Sequence, residues 1–171
     1  FGDYNPGGRL AVTFPKSVGQ IPFAFPFKPG SDESSETSVY GALYPFGHGL
    51  SYTTFQYSDL AISPSKQGVQ GNISISCTIK NIGQREGDEV VQLYLRDEVS
   101  SVTTYTQVLR GFERITLKPE ASHTVHFELT PQELGIWDKQ MNFTVEPGMF
   151  KVMIGSSSKD IRLKGEFEIA Q

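Results

Sequence analysis

The chain has 171 residues, a formal net charge of −4, 37% hydrophobic residues and 20% charged residues. A chain of this length buries roughly 70% of the surface that its unfolded form exposes, so it can build an apolar core without staples. The mild acidity argues against a nucleic-acid binder, the composition against disorder, and the lack of any apolar run near ~20 residues against a membrane-spanning helix.

The first fifty residues differ from the rest. They begin Phe1-Gly2-Asp3 without a methionine or a leader signal, which reads as a piece of a longer protein. Asp3 to Arg9 carries glycines but lacks the Lys-Ser/Thr ending of a phosphate loop, so it is read as a turn. Leu10 to Phe14 is expected to be a short strand closed by Pro15. Ile21 to Phe27 is apolar, yet Pro22 and Pro26 exclude a central strand there. Gly30 to Ser38 is a polar loop. A free segment of this composition would be mobile, so it is expected to lie against the following domain or a partner chain.

Period-two alternation begins near Tyr52. Tyr52 to Ser63 supplies one strand. In Asn72 to Lys80, Ile73, Ile75, Cys77 and Ile79 share one face. Glu89 to Arg96 carries Val91, Leu93 and Leu95 on one face, while Val90 and Tyr94 on the other imply cover on both sides. Val108 to Leu117 is a strand interrupted at Gly111, where a bulge or close backbone approach is expected. His123, Val125, Phe127 and Leu129 share the next face. A helical turn is expected at Thr130 to Leu134. Met141 to Val145, Phe150 to Ile154 and Ile161 to Ile169 complete seven or eight strands, the last with Ile161, Leu163, Phe167 and Ile169 inward. Turn clusters such as Asn81-Ile82-Gly83 and Glu146-Pro147-Gly148 separate them. The pattern predicts an all-β, immunoglobulin-like or fibronectin type III-like antiparallel β-sandwich with an extended N-terminal tail.

No reaction chemistry emerges from the residues. Cys77 is the only cysteine, which excludes an internal disulfide and a cysteine-built metal site. His123 and His126 point to opposite faces of one strand and cannot clamp one metal. Asp32, Glu33 and Glu36 are read as a solvated acidic loop, because a glycosidase pair needs two carboxylates held at a fixed separation. Asp88 and Glu89 open a strand, Asp97 and Glu98 close it, and all four are expected to be wet turn residues that blunt edges. Asn72-Ile73-Ser74 and Asn142-Phe143-Thr144 match the glycosylation acceptor pattern, which matters only in a eukaryotic source. Ser51, His48 and Asp59 lack a nucleophile-elbow context. The aromatic set Tyr40, Tyr44, Phe46 and Tyr52 has two readings. Such rings stack on sugars, or they glue an extended linker to a sandwich face, and the second is favoured.

The segments Phe1 to Leu10, Val12 to Pro15 and Ser17 to Pro22 resemble the closing part of the α/β sandwich domain of glycoside hydrolase family 3, the β-glucosidase and β-xylosidase family. Tyr44 to Phe55 resembles the linker into that family's third domain. Glu89 to Tyr94, Leu109 to Glu113 and Glu146-Pro147-Gly148 resemble its fibronectin type III-like domain. The resemblance implies a catalytic aspartate and an acid/base glutamate that both lie ahead of Phe1, so no catalytic, substrate-binding or metal residue is assigned in this chain, and no cofactor. It also implies a non-catalytic brace, with a tail and linker at 1–50 and the sandwich at 51–171. The expected partners are the preceding catalytic domains of the same enzyme and, through them, a carbohydrate substrate, with no nucleic acid and no membrane span; the parent is expected to be periplasmic or secreted. The rival readings are a carbohydrate-binding module and a plain adhesion or spacer domain. One departure is Phe150, at a slot often held by tyrosine in such sandwiches. It lacks the hydroxyl for a corner hydrogen bond, so packing must suffice there.

Overall fold

Strict alternation in the sequence becomes strict alternation in burial. The computed structural model describes residues 2–31 and 40–171; Phe1 and the acidic loop residues Asp32, Glu33 and Glu36 lie outside them. The strands are β1 (Phe14–Pro15), β2 (Ala42–Tyr44), β3 (Phe55–Ser63), β4 (Lys66–Gly68), β5 (Ile73–Asn81), β6 (Gly87–Asp97), β7 (Val108–Leu117), β8 (Ser122–Leu129), β9 (Ile136–Trp137), β10 (Phe143–Thr144), β11 (Gly148–Gly155) and β12 (Ile161–Ala170). The sandwich packs a five-stranded sheet, in the order β4-β12-β11-β6-β7, on a three-stranded sheet, β3-β5-β8. Ile73, Ile75, Cys77 and Ile79 of β5 face Val91, Leu93, Phe150, Val152, Phe167 and others across one apolar core. Cys77 acts there as a small apolar residue; burial pushes its thiol up to about 11.

Three expectations about strands are corrected. The eighth strand of the sandwich is Lys66–Gly68, which pairs parallel with β12 through Glu168, Ile169 and Ala170. The pairing is therefore antiparallel except at this edge. Three polar or glycine positions give no alternation, so the strand has no sequence signal. Met141 to Val145 does not join either sheet. Only Phe143–Thr144 pairs, with Ile136–Trp137, as a separate two-residue ladder. In the tail, Leu10 to Phe14 is not a strand. Phe14–Pro15 pairs with Ala42–Tyr44 instead, with an irregular register that accommodates the proline.

Gly111 meets both expectations. The register slips between Leu93 and Tyr94, leaving Arg110 as the extra residue of β7. A Cβ on Gly111 would stand 2.9 Å from the Phe127 ring, so the backbone needs glycine to pass it. The helical turn is present as α1 (Pro131–Leu134), with Thr130 as N-cap, Pro131 in the first turn and the Glu133 side chain closing a capping box. Phe150 is fully buried and stacks on Phe167, ring centroids 5.4 Å apart, so ring packing holds the position without a hydroxyl.

The edges of the molecule are tied by buried polar groups with full sets of partners. Asn81 ends β5, completely buried. Its amide donates to the carbonyls of Arg85 (2.7 Å) and Leu117 (2.9 Å), and its Oδ1 accepts from Thr53 Oγ1 (2.6 Å) and Gly83 N (3.0 Å). Four bonds use its whole capacity, which is why an amide sits at no evident cost in this position.

Candidate functional site

The distinctive surface of this chain is the junction between the first fifty residues and the outer side of the five-stranded sheet. On β6, Val91, Leu93 and Leu95 face the core, so Gln92 and Tyr94 face outward, yet both are buried. Their cover is the tail. Gln92 Nε2 donates to the carbonyls of Gly47 (3.2 Å) and Ser156 (2.6 Å), and its Oε1 accepts from the Tyr94 hydroxyl (2.5 Å). Gly47 has φ +82°, and a side chain there would overlap the Gln92 carboxamide, so both backbone sign and space demand glycine. Burial raises the Tyr94 hydroxyl above the ordinary tyrosine range.

Aromatic packing continues the seam. Phe25 stacks on Phe46 at 4.5 Å and meets Tyr94 edge-on at 5.8 Å; Phe27 lies against Phe23 and Phe25 and is nearly fully buried. The Thr106 amide donates to the Phe27 carbonyl (2.8 Å), and the Ser158 amide to that of Phe46 (3.0 Å). Each places one tail carbonyl on a sandwich loop. At the chain start, Asn5 donates to the Glu86 carbonyl (3.2 Å) and accepts from Tyr52 N (2.8 Å).

One ion pair anchors the same region. Arg9 Nη2 stands 2.7 Å from Glu89 Oε1, with both side chains at 10% exposure or less. Burial raises the Glu89 carboxyl and outweighs the Arg9 charge and hydrogen bond that lower it. Glu89 is therefore not the wet edge residue expected. Nor does β6 form an edge, since it lies between β11 and β7. Asp88 is bonded to Arg114 and to Thr116 Oγ1 (2.7 Å), which hold its carboxyl below the usual range. Asp97 is half-buried; desolvation pushes its carboxyl up to about 6, opposed by the Val99 N–H and assisted by Glu146 and Glu98. Glu98 is held by Arg96 (3.0 Å) and Lys151 (2.8 Å).

The remaining candidates fall apart as a reactive set. Ser51 Oγ bonds to Asn5, His48 stacks on Tyr44, and Asp59 accepts from its neighbour Ser58. His123 lies 3.5 Å from Glu113, while His126 is exposed on the other face. Among the described residues no group of His, Cys, Asp and Glu is placed to hold a metal ion. Both acceptor asparagines are exposed, Asn72 bonded to Glu128 (2.8 Å) and Asn142 to Asp138 (3.3 Å). No helix among the described residues is long and apolar enough to cross a membrane.

The aromatic set named from the sequence is divided by the structure. Phe46 is glue, but Tyr40, Tyr44 and Tyr52 are 55%, 45% and 58% exposed. The gluing rings are Phe23, Phe25 and Phe27, from the segment whose prolines excluded a strand. Arg9, Gln92 and Phe25 had not stood out. The one available signal was Gln92, a polar residue inside the apolar run Val90 to Leu95.

Two family models match this arrangement: the Glycosyl hydrolase family 3 C-terminal domain over residues 1–52 and the Fibronectin type III-like domain over residues 89–158. This chain belongs to the C-terminal region of glycoside hydrolase family 3. It is 42% identical over 181 residues to a periplasmic beta-glucosidase of Salmonella typhimurium, an alignment covering 99% of this chain and 23% of that protein. A beta-xylosidase of Formosa agariphila is 44% identical over 168 residues, covering 96% and 23%. A solved beta-glucosidase from Erythrobacter marinus superposes with a TM-score of 0.93 at 37% identity, over 99% of this chain and 22% of that one. The chain thus spans under a quarter of the length of these family 3 relatives. The first match covers the docked tail, and the second runs from β6 to the β11–β12 turn.

Proposed function

We propose that this chain is a non-catalytic brace of a family 3 β-glycosidase, with the tail and linker at 1–50 clamped between the sandwich at 51–171 and the preceding domains of the same protein. The observation that carries this reading is the double character of the tail. It is stitched to β6 by Gln92, Glu89 and the phenylalanine cluster. The same segment also holds nine of the eighteen exposed large apolar residues of the described chain, among them Val12, Phe14, Val18, Ile21 and Leu43. Such a concentration of exposed apolar side chains on one segment suits a docking surface. The relatives' additional length supplies an occupant, namely the part of the enzyme that precedes this region.

In this reading the parent cleaves terminal β-linked glucose or xylose with two carboxylates, one nucleophile and one acid, and none of the acids of this chain takes either role. Export of the parent to the periplasm or medium is part of this reading; of the relatives, the Salmonella beta-glucosidase is periplasmic. The test is twofold. The isolated chain should not turn over an aryl β-glucoside or aryl β-xyloside, and it should co-elute with the separately produced preceding domains. Turnover that survives purification to homogeneity, or separate elution, sinks the reading. The exposed rings of Tyr40, Tyr44 and Tyr52 also suit a carbohydrate-binding role for the linker. Loss of their exposure in the co-eluting complex decides for the brace.

A further inference from the structure

On the sandwich, β6, β7, the loop between them and the α1–β9 segment enclose a cavity of about 260 Å³, and the same loop seats the Phe27 carbonyl of the tail through Thr106. Its charged groups are Asp97, Arg110 and Glu133; its apolar wall includes Leu95, Val108 and Phe150, and Tyr105 and Trp137 also line it. Arg110 Nε is buried there with no hydrogen-bond partner among the described residues. A buried orphan donor calls for an explanation. Trp137 is 59% exposed although Phe143 braces it edge-on at 5.5 Å, and the β9–β10 ladder fixes its backbone. Gly135 lets Phe143 close over the chain, since a Cβ there would run into that ring. An exposed indole braced beside a polar cavity is suited to stacking.

We propose that this cavity is a binding subsite for one ring of a neutral saccharide. The argument is chemical. One guanidinium beside two carboxylates sets a like charge against either a phosphate or uronate or a cation, whereas a neutral ligand meets no such repulsion. A hydroxyl both donates and accepts, so neighbouring hydroxyls of a sugar can satisfy Arg110 and Asp97 together. The C–H face of the ring then covers the Trp137 indole. The volume lies just below the roughly 300–1,000 Å³ of common ligand pockets, which matches a single ring. Trp137 also lines the adjoining groove with Gln70, Gln132 and Phe143, so a longer saccharide has a path across it. This site needs no preceding domain, and it stands or falls independently of the brace reading.

Trp137 is the only tryptophan of the chain, so its emission reports on the site alone. The 171-residue chain is titrated at millimolar concentration with glucose, xylose, cellobiose, xylobiose, cellotetraose and xylotetraose, and calorimetry repeats each titration. A saturable emission change with a mono- or disaccharide assigns the cavity to a chain end or a free sugar. A change with the tetrasaccharides alone assigns it to the interior of a polymer, with the groove engaged. Arg110→Leu should weaken binding roughly tenfold or more, as expected for losing a hydrogen bond to a charged group. Asp97→Asn, nearly isosteric, should weaken it as well, and serves if Arg110→Leu fails to fold. Neither emission change nor heat with any of the six sugars, or unaltered affinity in a folded variant, overturns the proposal.

Discussion

Arg9 and Glu89 show how a single pair couples the tail to the sandwich. Removing one partner of a buried pair leaves an uncompensated charge, which costs about 3–5 kcal/mol. Arg9→Ala should therefore lower stability by up to that amount at pH 7 in chemical denaturation. The loss should shrink toward acid pH, because the Glu89 carboxyl, already raised by burial, then takes up a proton. An equal loss at both pH values would remove the charge explanation. Asp97 behaves in the opposite sense from a salt-bridged carboxylate. Its folded pKa of about 6 lies above the unfolded value of 3.8, so the folded state holds the proton longer between these values. Asp97 thus contributes stability that is fully present below about pH 4 and lost as pH rises through 6. Asp97→Asn should raise the thermal midpoint relative to the parent chain at pH 7 and not at pH 4. Comparing the two chains cancels Asp88, Glu98 and Asp160, whose lowered values push stability the other way.

Among the elements, the tail is held without any strand of its own in the sandwich. Besides the Arg9–Glu89 pair and the Asn5 bonds, it is held by carbonyls seated on sandwich loops, a stack of phenylalanines and the Gly47–Gln92 contact. Gly47→Ala asks for a left-handed backbone at a residue with a Cβ and for room that Gln92 occupies, costing about 1–3 kcal/mol. The consequence falls on docking rather than on the core. Trypsin should cut slowly after Arg9 in the parent chain and at least roughly tenfold faster in Gly47→Ala, since cleavage tracks the open population. Identical cutting rates would show that the linker glycine does not hold the tail.

In the whole molecule the tail is stitched to the sandwich and yet leaves many of its large apolar side chains uncovered, and the brace reading follows from that combination. Its sandwich has its own closed core, with Ile75, Val91, Val125 and Val152 fully buried. Far-UV and thermal melts of residues 51–171 alone should therefore show a cooperative transition. A gradual, non-cooperative loss would mean that the tail belongs to the core.

Alternation was the legible part. Buried β5 and the inward faces of β8 and β12 follow from period two, because each of these strands presents one dry and one wet face, and the capped turn at Thr130 follows from its hydrogen-bonding residues. Family motifs likewise lay open in the order of residues. What the chain order did not reveal was contact between distant segments that carry no period. Glu89 read as wet until Arg9, eighty positions away, covered it; Gln92 drew no notice although Gly47 and Ser156 meet its amide; Lys66–Gly68 carried no strand signal although β12 offers it a partner. The tertiary fold decided these because burial of a polar group is a property of what packs over it, and a strand of three residues borrows its order from its neighbour.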